Sequence, residues 1–429
     1  MHIGFVATRF AGTDGVSLET TKWRAILERL GHTAYFCAGE LDEDHLPGMR
    51  VPEMHFQHPE VRALHDQAFG HASLPDDFYP RLEATATAIL TALHRFVATF
   101  RIDLLITENA LTIPMNLPLG VALRRLIAET HIPTWAHHHD FYWERERFQG
   151  SPATDVLEAA FPPALPEVRH IVINRPAQRD LQARRGLEST VIPNIFDFNR
   201  AAVGITAANR DLRARLGLSD DHLLILQPTR VVPRKGIEHA ITLVRELRRR
   251  KRQLLGKEPV LVVSHHAGDE GMEYLEHLQT LARRWRVPFY YTPHHFYARP
   301  PRDNGAPAYS LWDAYVHADF VTYPSRYEGF GNALLEAIYF RLPMLVNRYS
   351  VYVEDIAPLG FDLVEIDGEV NAEAVEAVIE VLRDPVRRRR MVEHNYQLAR
   401  EHFSYEAVLP IFERLLTTPY PAPVGPGYP

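Results

Sequence analysis

Pro324-Ser325-Arg326-Tyr327-Glu328-Gly329-Phe330-Gly331-Asn332-Ala333-Leu334-Leu335-Glu336-Ala337 follows an apolar run, residues 320–323, that reads as a buried strand. A strand, a glycine-containing turn and then a helix leave the first N–H groups of that helix without internal partners, and an anion can sit on them. Glu328 falls on the turn and Glu336 about two turns into the helix, so both can face the carboxyl end of a parallel sheet. Taken alone, the two glutamates would simply be solvated and Gly329 and Gly331 would only shape the turn. The flanking Pro-Ser and Glu-Ala pairs, with a cationic loop far upstream, shift the balance towards a ligand site.

That loop is Pro228-Thr229-Arg230-Val231-Val232-Pro233-Arg234-Lys235-Gly236, directly after a strand at 223–227 and directly before a helix. Arg230 offers a planar fork for phosphate oxygens and Lys235 a point charge. A solvated basic loop is the plain alternative. Cations at a helix start oppose its dipole, however, and so call for an anion.

Strands alternate with helical sequence on both sides of these loops. Residues 2–8 read as a strand, a loop with Gly12, Asp14 and Gly15 follows, then a helix at 17–30, a stop at Gly31 and a strand at 33–38. Further strands are expected at 102–107, 134–137, 171–174 and 190–193. After a polar stretch, 199–218, the alternation restarts at 223–227 and continues at 260–264, 289–292, 320–323, 344–347 and 363–366. Interleaved strands and helices imply parallel sheets covered on both faces. The expected class is therefore α/β with two Rossmann-like domains, 1–198 and 199–403, followed by a last helix at 404–418. Pro293, Pro300, Pro301 and Pro307 predict an irregular loop over 293–308, and the Pro/Gly-rich tail beyond Pro419 predicts a mobile end.

The 429 residues exceed what one core usually serves, and 46% hydrophobic with 10% aromatic content excludes a disordered chain. A net charge of −7 gives no overall basic field for nucleic acid. No uncharged apolar run approaches the roughly 20 residues of a membrane span, which leaves peripheral membrane contact open. One cysteine, Cys37, makes no intrachain disulfide, and Met1 opens no basic–apolar leader, so a cytoplasmic protein is expected.

Histidines cluster at strand ends. Trp135-Ala136-His137-His138-His139-Asp140 closes one strand, where a His can hydrogen-bond a ligand hydroxyl or a developing charge. Consecutive strand residues alternate faces, so three histidines in a row cannot all ligate one ion, and no metal site is assigned. His265-His266 follows another strand, with a helix cap by Asp269 as the bland account. The basic runs at 248–252 and 387–390 read as solvated helix faces.

These residues together resemble the retaining glycosyltransferases of the two-domain GT-B fold, within family GT4. The resemblance rests on Gly15-Val16, His139-Asp140, Pro193-Asn194, Arg230 with Lys235-Gly236, and the Glu328 to Glu336 block, in that order along almost the whole chain. The wording of 13–19 and 266–271 looks like a subgroup making compatible-solute glycosides such as mannosylglucosylglycerate.

The resemblance implies an interdomain cleft and a last helix crossing back to the N-terminal domain. It implies a nucleotide sugar as co-substrate and a hydroxyl acceptor, with no tightly bound cofactor and metal dependence left open. Arg230 and Lys235 would hold the donor diphosphate, Glu336 the ribose and Glu328 the sugar hydroxyls. The N–H groups of Phe330, Gly331, Asn332 and Ala333 would complete the phosphate cradle, with Gly15 and Asn194 also on the donor side. His139 would sit by the transferred sugar, with His138 the fallback, and Asp14, Asp140, His265 and His266 are sugar-side candidates. A nucleotide-sugar epimerase, a glycoside phosphorylase and a non-catalytic sugar-binding protein remain the alternatives. Two departures stand out: the long 293–308 loop, where the base is often read, and Asn332 in place of a larger apolar residue.

Overall fold

In the computed structural model, residues 1–12, 15–267, 272–297 and 309–420 are described. The chain divides into two compact units, Met1–Asn194 with Val408–Pro429, and Ile195–Ala407. The two linker stretches meet at the second unit, where the Phe196 N–H donates to the Phe403 carbonyl at 2.8 Å.

The first unit is built on β1 (His2–Val6), β2 (Thr33–Ala38), β3 (Gly48–Arg50), β4 (Leu104–Glu108), β5 (Thr134–His138), β6 (Val168–Val172) and β7 (Ser189–Val191). They form one sheet in the order β3-β2-β1-β4-β5-β6-β7, and every pair is parallel. Its helices are α1 (Gly15–Arg29), α2 (Pro59–Gly70), α3 (Phe78–Phe100), α4 (Leu117–Thr130), α5 (Thr154–Ala160) and α6 (Arg175–Arg185). The start of α6 shows why the sequence turns where it does: the Asn174 side chain caps the Ala177 N–H at 2.7 Å and proline occupies the first turn.

The second unit contains α7 (Leu212–Arg215), β8 (His222–Gln227), α8 (Ile237–Arg249), β9 (Glu258–Val263), α9 (Glu273–Trp285), β10 (Phe289–Tyr291), β11 (Phe296–Tyr297) and β12 (Tyr309–Ser310). It continues with α10 (Leu311–His317), β13 (Phe320–Tyr323), α11 (Asn332–Tyr339), β14 (Met344–Asn347), β15 (Val364–Ile366), α12 (Ala372–Arg383) and α13 (Pro385–Phe403). Its main sheet runs β10-β9-β8-β13-β14-β15. The buried strands are near-continuous Val, Leu and Ile, as a sheet covered on both faces requires, and Ile225, Leu261, Val263 and Leu345 pack with Ile241, Val244 and Leu247 of α8. The last helix, α14 (Tyr405–Thr417), joins the first unit through its later residues, where Phe412 is fully buried against Trp23 and Trp135 at 4.8 and 5.8 Å.

Several sequence expectations shift. The first helix opens at Gly15, two residues earlier than expected. The strand expected at 171–174 lies at Val168–Val172, since Asn174 is needed as a helix cap. The proline-rich stretch is not wholly irregular: β11 pairs in parallel with β12, and Pro293–His295 forms a short 3-10 turn. Asp14 and residues 298–308 lie outside the described residues.

Candidate active site

Strand order decides which loops can meet. In the second unit the order reverses between β8 and β13, so the connections leaving their carboxyl ends part to opposite faces and open a crevice there. The loop after β8 carries Arg230 to Gly236 and the loop after β13 carries Pro324 to Gly331, the two stretches singled out in the sequence.

Gly236 and Gly331 make that approach possible. Gly236 has φ +59, and a Cβ there would lie 2.5 Å from the Pro324 carbonyl oxygen of the facing loop. Gly331 has φ +134, and its Cβ would lie 2.7 Å from the Tyr349 hydroxyl, which donates to the Phe330 carbonyl at 2.6 Å. From Gly331 the chain enters α11, whose opening turn at Asn332 and Ala333 carries the N–H groups an α-helix does not pair internally.

The side chains across this crevice form a buried ionic cluster. The Lys235 ammonium is bonded to Glu328 Oε1, and Arg234 Nη1 lies 3.3 Å from Glu328 Oε2. Side-chain exposure is 10% for Lys235 and 9% for Glu328, so neither charge is well solvated. Burial works against the Glu328 carboxylate, but Lys235 and Arg234 outweigh it and hold its pKa below the usual range. Burial likewise lowers the Lys235 ammonium despite Glu328. Lys235 and Glu328 are thus partners of each other, a pairing the sequence reading, which sent them to different parts of a ligand, did not foresee.

Arg230 is exposed at the edge of the cluster, and its charge reaches Lys235 and His265. Burial, with Lys235, His266 and Arg230 adding, pushes the His265 imidazole down to about 4, so it is neutral; His266 is exposed. Glu336 is half-buried one face along α11 and accepts the Tyr315 hydroxyl at 2.6 Å. Tyr315 and Arg234 were missed because their neighbours are set by tertiary structure alone.

The first unit holds a second cluster. Its strand order reverses between β1 and β4, and β4 and β5 run side by side with Glu108 in register with His137. Glu108 Oε2 accepts from His137 Nδ1 at 2.8 Å and from His139 Nε2 at 3.1 Å, while its side chain has no exposure. His137 and His139 share a face because strand side chains alternate, and His138 points the other way, to the Thr112 hydroxyl and to His170 at 2.9 Å. Trp23 of α1 stacks on His137 with centroids 3.9 Å apart. Burial opposes the Glu108 charge, but the two imidazoles prevail and bring its pKa to about 2. Burial also opposes a charge on His139, yet Glu108, Glu19 and Asp140 raise it, whereas His137 is lowered by burial and stays neutral. Glu108, His137 and His139 also bring one ligand atom each within 4.8 Å of one another, a donor set that fits a transition ion; the hydrogen bonds account for the same positions.

Asp140 is held by Asn109 at 3.0 Å and by Arg145. Asn194 is buried at the end of the first unit and Gly15 is exposed at the start of α1. Glu108 was missed because the strand was expected to stop at Thr107; an acid at the end of a buried apolar run is the signal that marks it.

The chain is 34% identical over 413 residues to mannosylglucosylglycerate synthase of Petrotoga mobilis, covering 90% of this chain and 94% of that one. It belongs to the mannosylglucosylglycerate synthase family of glycosyltransferases. The synthase of Thermotoga maritima is 32% identical over 445 residues, covering 96% and 99% of the two chains. Residues 305–398 match the model of glycosyl transferases group 1, which takes in the Glu328 to Glu336 block. Among solved structures, Anabaena HepE in complex with UDP-glucose superposes with a TM-score of 0.65 at 15% identity over 97% of this chain and 99% of that one. Sucrose-phosphate synthase from Thermosynechococcus elongatus gives 0.63 at 17% identity, over 97% and 98%. At those identities the likeness is one of fold, the GT-B arrangement of two Rossmann-like domains. Among the described residues no helix is long and apolar enough to cross a membrane.

Proposed function

We propose that this family member transfers a hexosyl group, with retention at C1, from a nucleotide diphosphate sugar of the GDP-mannose or UDP-glucose type to a hydroxyl of a small polar acceptor, a glycerate glycoside. The observation that carries the reading is identity of 32–34% across nearly the whole chain to two proteins named mannosylglucosylglycerate synthase. The cationic loop facing a helix start within one α/β unit supports it, because that is the chemistry a diphosphate needs.

In the proposed reaction the C1–oxygen bond to the diphosphate breaks and the electron pair leaves with the nucleoside diphosphate. Lys235, Arg230 and the N–H groups of Phe330 to Ala333 stabilise that charge where it develops, commonly the largest catalytic term. The acceptor oxygen bonds C1 on the same face, and its proton passes to a departing phosphate oxygen. Glu328 orients sugar hydroxyls, Glu336 takes the ribose, and Gly15 and Asn194 complete the donor side. His139 is assigned to the transferred sugar; Asp140, His265, His266 and Asp14 are sugar-side residues. Glu328 is assigned to positioning rather than to nucleophilic attack, and its ion pairs with Lys235 and Arg234 support a fixed orientation of its carboxylate.

Incubation with nucleotide sugars, with and without glucosylglycerate, tests this by NMR of the product. The expected result is a new glycoside that keeps the donor's anomeric configuration and forms only when acceptor is present. Product of inverted configuration, or sugar release independent of acceptor, overturns the proposal.

A further inference from the structure

Helix ends explain only part of the charge that gathers around the run opening at Arg248. At the end of the second unit's sheet where β8 and β9 begin, a cavity of about 410 Å³ is lined by six cationic side chains and a single carboxylate, Glu258. The donor-side loops leave the opposite ends of the same strands, roughly 20 Å away for a six-residue strand.

Helix dipoles account for part of this charge, because Arg248 and Arg284 stand in the last turns of α8 and α9, where cations are favoured. Arg286 is the C-cap of α9 and shares in its dipole, but Arg245, ahead of the last turn of α8, and Lys251, beyond its end, are not accounted for in this way and line the same cavity. Glu258 is shared between Arg248, bonded through Nε, and Lys251, whose Nζ is 3.8 Å away. Arg245 stacks its guanidinium on Trp285 at 4.5 Å, which fixes the planar group without neutralising it. Arg284 and Arg286 have no side-chain hydrogen bond or ion pair among the described residues.

Apart from Arg249, which pairs with Glu246 at 2.6 Å, one carboxylate thus serves cationic side chains drawn from three separate segments, on a chain whose net charge is −7. Like charges gathered this way repel unless an anion joins them, and guanidinium forks match phosphate oxygens best. We propose that this cavity is a second anion site, which binds a small phosphorylated metabolite separately from the sugar donor. The same phosphate chemistry is offered by anionic lipid headgroups, and Leu255, between Lys251 and Glu258 in the chain, is 79% exposed, so the two sources are separated experimentally.

Titration calorimetry of the full chain with fructose 1,6-bisphosphate tests the site. The expected result is saturable binding that weakens at least roughly tenfold in Arg284→Glu/Arg286→Glu and is unchanged in Arg230→Ala. Both arginines are exposed and far from the donor loops, so the double variant keeps its transferase turnover in the absence of the probe. Binding that is lost in Arg230→Ala but kept in the double variant places the anion at the donor loops and overturns the proposal. Absence of binding to the soluble probe also overturns it, as does wild-type binding confined to sedimented phosphatidylglycerol vesicles.

Discussion

Glu108 has no exposed side-chain surface, a pKa of about 2 and two imidazoles on one oxygen, and its effect on His139 is directly measurable. The carboxylate keeps His139 protonated above its ordinary range, so the bond stabilises the fold fully at acid pH and is lost as pH rises through the raised value. Glu108→Gln removes that support. Imidazole NMR should show His139 losing its proton at lower pH than in the wild type, and the alkaline limb of the rate profile should move down with it. Turnover should fall about 10- to 100-fold, the range of one charged hydrogen bond. An unmoved His139 titration refutes the link. Lys235 and Glu328 pose a different problem, because removing one buried charge strands the other. Lys235→Ala should lower stability by about 3–5 kcal/mol in urea denaturation, and Lys235→Met/Glu328→Gln should recover much of it, while neither binds a nucleotide sugar well.

At the scale of elements, two backbone positions decide whether the loops after β8 and β13 come together. Gly236→Ala needs φ +59 and sets a methyl 2.5 Å from the Pro324 oxygen, so it should cost about 2 kcal/mol and weaken donor binding by pushing the loops apart. The measurement is a pair of denaturation and donor-titration curves; loss of stability with unchanged donor affinity would show that the loop spacing is not critical. The last helix offers a purely structural counterpart. Phe412→Ala empties space between Trp23 and Trp135 and should cost about 3–5 kcal/mol in the same assay. Trp23 also stacks on His137, so imidazole titration in that variant reports whether the cavity reaches the histidines.

Over the whole molecule, what the sequence made legible was what local periodicity controls. Strand runs such as 320–323 and 344–347, and the loops bearing Lys235 and Glu328, could be read because apolar runs and glycines announce them within a few residues. The Lys235–Glu328 bond, the Glu108 pairing across β4 and β5, and the convergence on Trp285 depend on strand order, which no local pattern encodes. The same division bears on ligand response. Each unit has its own core, and the residues assigned to the diphosphate all belong to Ile195–Ala407. A nucleoside diphosphate at about 100 times its Kd should therefore add roughly 2.7 kcal/mol of stability. In hydrogen exchange, the slowing should concentrate at residues 228–236 and 324–337, whereas Glu108 to Asp140 should exchange as before, because the nucleoside diphosphate lacks the sugar that His139 is proposed to meet. Protection that appears first around Glu108 and His139 would move the diphosphate to the other unit and with it the assignment of Arg230 and Lys235.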